Sequence, residues 1–149
     1  MRISARADYA IRALLELAAD PGRPLTCEGI ALSQEIPHRF LKAVFRDLRR
    51  AELVRSQRGC EGGYRLSRDA ASISLAAVVA AVDGQLMTVH GESPGDRRYP
   101  GPADRLSEFW AGLRKRFEDI LAGVTLADLL ADEPPEPAAS LLREAAISA

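Results

Sequence analysis

The sequence predicts a mainly α-helical protein with a small β-hairpin wing, that is, a winged helix-turn-helix followed by a long C-terminal dimerisation helix. Three observations predict it. Amphipathic segments parted by turn residues fill the first 50 positions. Two short strand-like runs then flank the glycine-rich stretch Gln57 to Gly63, and an apolar stripe at heptad spacing follows position 104.

Taken in order, Ser4 is placed to cap a first helix whose apolar positions Ile11, Leu14, Leu15 and Ala18 recur at helical spacing, and Pro21-Gly22 stops it. Thr26 caps a short second helix reaching about Ser33. Pro37 sits where the first turn of a third helix tolerates a missing N–H, and the link Gln34-Glu35-Ile36 has the length a helix-turn-helix needs. The third helix has two faces. Phe40, Leu41, Val44, Phe45 and Leu48 form an apolar one, and Arg39, Lys42, Arg46 and Arg49 recur at steps of three and four on another.

Leu53 to Ser56 and Tyr64 to Ser67 read as the strands of a wing whose turn glycines permit positive φ. Ser74 caps a further helix with Leu75, Val78, Val79 and Val82 inward, ended by Gly84. A Gly-, Pro- and charge-rich loop, 85–103, separates this module, 1–84, from the next segment, 104–131. There Leu106, Trp110, Leu113, Phe117, Ile120 and Val124 are spaced as a heptad seam, which implies a partner helix in a second copy or within the same subunit. Thr125 with Asp128 forms a capping-box pattern opening a last short helix. The Pro-rich residues 132–149 read as a flexible tail.

With 149 residues, 47% of them hydrophobic, the chain can bury a substantial core. No stretch approaches the roughly 18 consecutive apolar residues of a membrane span, and the start, Met1 to Ser4, lacks the apolar core of a secretory signal. The expectation is a cytoplasmic protein with no membrane partner. Two cysteines, Cys27 and Cys60, are too few for a disulfide scaffold and read as thiols. Residues 1–68 carry 13 Lys or Arg against 8 Asp or Glu, a net of +5, whereas residues 69–149 carry 7 against 13, a net of −6. A basic half of this kind faces a polyanion, here expected to be double-stranded DNA. No phosphate-binding glycine loop or metalloprotease helix occurs, and the two histidines have no nucleophile pair beside them, so an enzyme is not expected.

The opening Met1-Arg2-Ile3-Ser4-Ala5-Arg6-Ala7-Asp8-Tyr9-Ala10-Ile11-Arg12-Ala13-Leu14, the stretch Ile36-Pro37-His38-Arg39-Phe40-Leu41 and the run Leu53 to Leu66 around Arg58-Gly59-Cys60-Glu61-Gly62-Gly63 carry a family resemblance. So do Ala81-Val82-Asp83-Gly84 and Val124-Thr125-Leu126-Ala127-Asp128-Leu129. The chain resembles the Rrf2 family of bacterial winged-helix transcriptional regulators. That resemblance implies a homodimer whose long C-terminal helix crosses to the other subunit, a third helix in the major groove and a wing in the adjacent minor groove. A repressor role is the expectation.

A recognition helix needs short polar groups near its start and cations further along; His38, Arg39, Lys42, Arg46 and Arg49 supply them. In the wing, Gln57, Arg58 and Gly59 are the candidates, Arg58 foremost, because guanidinium suits the negative potential of a narrow minor groove. Two positions depart from the family pattern. Glu52 stands where members place Gly after the recognition helix, a left-handed position that costs Glu about 1 kcal/mol. Lys42 stands where relatives often carry Glu, which points to a different target sequence.

Cluster-bearing relatives have three cysteines in the loop before the dimerisation helix; this loop has none. It offers His90, Glu92 and Asp96, and Asp8 lies where some relatives supply a carboxylate ligand. No metal site and no iron-sulfur cluster are expected, and the effector, a small molecule or a partner protein, is unassigned. Cys60, beside Gly59 and Arg58, is a candidate redox switch, and Cys27 reads as half-buried filler. Phe109, Trp110 and Phe117 line either an effector pocket or a core. A winged helix used for protein contact is the other reading of the module; the net +6 of residues 37–68, 9 cations against 3 acids, argues for DNA.

Overall fold

A computed structural model describes residues 3–147, so residues 1, 2, 148 and 149, the outer ends of the first module and the tail, lie outside it. Helix α1 (Ala5–Ala19) starts where Ser4 Oγ accepts from the Ala7 amide at 2.9 Å and ends before Pro21. Its buried line is Ala7, Ala10, Ala13, Leu14 and Leu17. Ile11, Leu15 and Ala18 are only half-buried, so the first helix packs mainly through alanines, which let α4 (Leu75–Asp83) approach it closely. Ser4 Oγ also donates to Asp83 Oδ2 at 2.5 Å, joining the start of α1 to the end of α4.

Helix α2 (Cys27–Ser33) is capped by Thr26, whose Oγ1 accepts from Gly29 at 3.0 Å, and α3 (His38–Arg50) follows Pro37 as its N-cap. Both α2 and α3 end in one motif. Ile36 N–H donates to Ala31 O at 2.9 Å and Glu35 N–H to Leu32 O at 3.4 Å. Leu53 N–H donates to Leu48 O at 3.0 Å and Glu52 N–H to Arg49 O at 3.1 Å. These paired bonds define Schellman caps, with buried Ile36 or Leu53 closing each one over the helix. The left-handed residues are Glu35 at φ 54° and Glu52 at φ 56°, and the second is the position the sequence marked as favouring Gly.

Strands β1 (Val54–Gln57) and β2 (Gly63–Leu66) pair antiparallel, Val54 opposite Leu66 and Gln57 opposite Gly63, so each lies one residue away from its predicted span. A third edge is supplied by Leu25, which exchanges backbone bonds with Tyr64 at 3.0 and 2.7 Å. Because of that approach a Cβ on Gly63 would sit 2.5 Å from Leu25 O, and only glycine fits.

Helix α4 is capped by Ser74 and ends at Gly84, φ 74°. The loop 85–103 follows, ending in a short 3₁₀ turn, Gly101–Ala103. Helix α5 (Leu106–Ala122) then runs its 17 residues without burying one of them, and α6 (Leu126–Leu130) opens on the expected capping box, Thr125 with Asp128. The chain returns to the first module between them. Leu75 N–H donates to Val124 O at 2.9 Å and Leu126 N–H to Ile73 O at 3.0 Å, and Leu126 is fully buried.

Two expectations are corrected here. Val124, assigned to the dimerisation seam, is 3% exposed in the core of its own chain, because α5 stops at Gly123 and the heptad phase ends with it. The tail is not structureless: α7 (Ala138–Ile147) forms within it, with Ala138 buried in the core and Glu136 accepting from Ser140 N–H at 3.1 Å at its start. The Arg143 guanidinium and the Ser140 bonds hold Glu136 below the usual carboxylate range.

Candidate nucleic-acid interface

Helix α3 has its core and its cations on opposite sides. Leu41, Val44, Phe45 and Leu48 are buried, whereas Arg39, Lys42, Arg46, Arg49 and Arg50 are exposed and His38 is half-buried at the first turn. Phe40, expected on the apolar face, is 47% exposed; the Arg39 guanidinium lies 4.6 Å from its ring centre, a cation–π contact that holds Arg39 out at the helix start.

Asp47 is the buried charged residue of this helix. Arg6, from the first turn of α1, bonds directly to its Oδ2, and Arg46 Nε and Arg50 Nη1 lie 3.7 and 3.6 Å from its Oδ1. Arg6 thus fixes the roll of α3 about its axis. A buried carboxylate with a direct guanidinium partner is held far more firmly than a surface pair. Arg46 and Arg50 are drawn toward Asp47, leaving Arg39, Lys42 and Arg49 with no acidic partner among the described residues.

The wing stands on α3 through the Phe45 and Tyr64 rings, 4.3 Å apart. Lys42, Arg46, Arg49, Arg50 and Tyr64 line a cleft of about 400 Å³ between helix and hairpin, a basic trough open to a polyanion. At the tip Gly62 N–H donates to Gly59 O at 2.9 Å, Gly59 takes φ 114°, and Arg58 and Cys60 are exposed. Gln57 is exposed too, but its Oε1 accepts from Arg65 Nε at 3.1 Å. Arg65 Nη1 also donates to Pro21 O at 3.1 Å and Gly22 O at 3.0 Å, so this arginine straps β2 to the turn after α1.

The structure therefore brings His38, Arg39, Lys42, Arg46 and Arg49 together on one helix, with Gln57, Arg58 and Gly59 on the adjoining hairpin. Sequence reasoning missed Arg6, Asp47 and Arg65, which position that surface. Each works through a partner about 40 residues away, and no local pattern encodes such a pairing.

Elsewhere, Asp8 and the His and carboxylate side chains of the loop 85–103 do not converge. Asp8 pairs with Arg12 at 3.2 Å, Glu92 with Arg97 at 3.7 Å, and His90 sits in a tight turn at φ 53°. Among the described residues no three His, Cys, Asp or Glu side chains form a metal-binding group. Cys27 is half-buried, and burial pushes its thiol above the usual range, against a smaller opposing pull from Lys42.

The family model described as "Rrf2: Iron-dependent Transcriptional regulator" matches residues 3–132. The chain belongs to the Rrf2 family. Similar proteins include Rv1287 of Mycobacterium tuberculosis, 42% identical over 95% of this chain and 88% of that one. The HTH-type transcriptional regulator IscR of Vibrio vulnificus is 35% identical over 89% of this chain and 79% of its own length. Among solved structures, CymR (YrzC), the global cysteine regulator of B. subtilis, matches with a TM-score of 0.72 at 30% identity, covering 87% of this chain and 95% of that one. As an Rrf2 protein the chain is a helix-turn-helix transcriptional regulator and not an enzyme, mostly helical with one antiparallel hairpin. No helix among the described residues is long and apolar enough to cross a membrane.

Proposed function

We propose that this Rrf2 protein is a cytoplasmic homodimer that binds specific duplex DNA as a repressor and carries no iron-sulfur cluster. One observation carries the DNA reading: α3 exposes Lys42, Arg46, Arg49 and Arg50 to a trough bounded on the wing side by Tyr64, while the opposite side of α3 is closed core. Lys42 and Arg49 suit phosphates or base edges, His38 and Arg39 the bases near the helix start, and Arg58 a minor groove beside the wing.

The dimer is supported by α5, which packs on α4 but leaves its apolar stripe only partly covered within the chain. Phe109 is 60% and Ile120 37% exposed, and Leu106, Trp110, Leu113 and Phe117 are half-buried. A 17-residue helix with no buried position does not stand alone in water, and a second copy presents the matching seam. Without Val124 the seam runs from Leu106 to Ile120.

The donor set does not fit a cluster. Thiolates hold such clusters, and the two thiols of this chain lie in the wing and at the start of α2, with none in the loop 85–103. A second reading, a redox switch, is favoured by the exposed Cys60 at the wing turn: oxidation there would set a bulky polar group beside Arg58. Peroxide treatment that leaves operator affinity unchanged eliminates it.

The test is genome-wide mapping of binding sites, then measured affinity for the top site at 50 and 200 mM salt. Neutralising about six phosphates per dimer gives a fall of roughly a thousandfold. Arg58→Ala is expected to weaken binding by about 1–3 kcal/mol with the fold intact. A monomer that ignores duplex DNA at low salt refutes the reading.

A further inference from the structure

The hairpin has two faces, because side chains alternate along a strand. Val54, Tyr64 and Leu66 face the core, so Arg55 and Arg65, which lie between them and opposite each other in the register, share the outer face. Like charges directly across a ladder repel and weaken the hairpin. Neither is neutralised by a carboxylate: Arg65 is tied to the Pro21 and Gly22 carbonyls and Gln57, and Arg55 has no partner among the described residues.

These arginines border a concavity. A cleft of about 350 Å³ is lined by Arg55, Arg65 and Arg68, with Leu17, Ala18 and Leu66 as its apolar wall; Arg23 reaches it while paired to Asp20 at 3.8 Å, and Asp69 is its one acid. Arg68 is exposed and unpaired among the described residues. Arg55 and Arg68 also line a neighbouring cleft with Arg49, where Glu52 is the one acid, so cations continue from the end of α3 to the outer side of the wing past a single carboxylate. Arg55 lies three residues, about 10 Å, behind Arg58.

We propose that this outer wing cleft is a second anion site that takes a phosphate group, with Arg65 held ready by its backbone bonds and Arg55 and Arg68 closing on the oxyanion. Guanidinium forks match phosphate geometry, and an anion placed between Arg55 and Arg65 relieves their repulsion. The phosphate comes either from DNA backbone beyond the segment read by α3 and the wing tip, or from a free phosphoryl compound. The first source rests on the DNA reading above; the second does not.

The test uses full-length protein and Arg55→Gln/Arg68→Gln, which leaves the strap residue Arg65 in place; circular dichroism and the melting temperature verify its fold. Inorganic pyrophosphate is titrated by calorimetry without DNA. Two duplexes are compared, the mapped operator core and the core extended by one helical turn on each side. Saturable pyrophosphate binding by wild type, weakened about tenfold in the double variant, is expected. If affinity for the extended duplex also falls about fivefold or more, with a salt slope lower by about two and the core duplex changed less than twofold, the backbone is the source. If only pyrophosphate binding falls, the ligand is free. Unchanged binding in both arms, or equal losses on core and extended duplexes without a pyrophosphate effect, overturns the site. Wild type that binds pyrophosphate but neither duplex refutes the DNA reading and leaves this one standing.

Discussion

Replacing Glu52 with glycine is expected to stabilise the protein, although it removes a side chain and adds no contact. Glu52 holds φ 56° as the left-handed residue of the cap that ends α3, where Leu53 N–H reaches Leu48 O at 3.0 Å. A Cβ in that conformation costs roughly 1–2 kcal/mol, and glycine's freer unfolded chain takes back about 0.4–1 kcal/mol. The net gain is about 0.5–1 kcal/mol. Glu35, at φ 54° in the cap of α2, predicts the same gain, and because the caps share no hydrogen-bond partner the double variant is expected to gain about 1–2 kcal/mol. Urea unfolding measures it, with a rise in melting temperature of about 2–4 °C per kcal/mol as a second readout. Glu52→Ala and Glu35→Ala keep the Cβ and are the controls. Glycine variants no more stable than the alanine variants refute the conformational argument and point to charge as the relevant property.

Gly63→Ala places a methyl 2.5 Å from Leu25 O, backbone against backbone, and is expected to cost about 2–4 kcal/mol and lower duplex affinity as the wing lifts from the Leu25 edge; chemical unfolding and a binding titration measure both effects. Iodoacetamide at neutral pH is expected to modify exposed Cys60 well before Cys27, whose thiol burial holds protonated; mass spectrometry of timed samples reads the order. Hydrogen bonds from Ser33 and Gln34 lower the Glu16 pKa, against a smaller opposing effect of burial, so its carboxylate stabilises the fold above the unfolded glutamate pKa of about 4.3 and loses that contribution as pH falls through the lower folded value. Glu16→Gln is therefore expected to be less stable than wild type at pH 7, with the difference closing in acid; a difference that grows on acidification contradicts the assignment.

The helix starts were legible because a cap is a local device. Ser4, Thr26, Ser74 and Thr125 each accept the amide three residues on, which is a property of spacing alone. The left-handed position of Glu52 was legible through the family resemblance, which implies a glycine there, whereas the matching position of Glu35 carried no such signal. The cationic face of α3 followed from periodicity, since a helix that buries Leu41, Val44, Phe45 and Leu48 turns Lys42, Arg46 and Arg49 outward. Periodicity misled at its ends. Val124 keeps the heptad phase, yet the helix has closed at Gly123, whose amide bonds Asp119 O and Ile120 O, and the chain has turned back toward Ile73. Proline-rich composition hid α7 because Pro134, Pro135 and Pro137 all precede its first turn, where a missing N–H costs nothing.

The interface divides into a fixed part and an adaptable part. Helix α3 is set in roll by Arg6 on Asp47, and the caps of α2 and α3 close the turns on either side of it. The wing is set against α3 by the Phe45–Tyr64 contact and the Leu25 edge, and against α1 by Arg65. A reading head joined at so many points cannot respond strongly to a ligand by deforming, because each deformation breaks buried or backbone bonds together. Helix α5 is bound differently. It packs on α4 yet buries no residue fully, and among the described residues its side-chain hydrogen bond to the loop 85–103 is Arg114 Nη1 to Ser93 Oγ at 2.6 Å. In the proposed dimer the distance between two rigid heads is set by how the α5 seams meet, so a signal that shifts the loop or the seam changes half-site spacing while leaving each head intact.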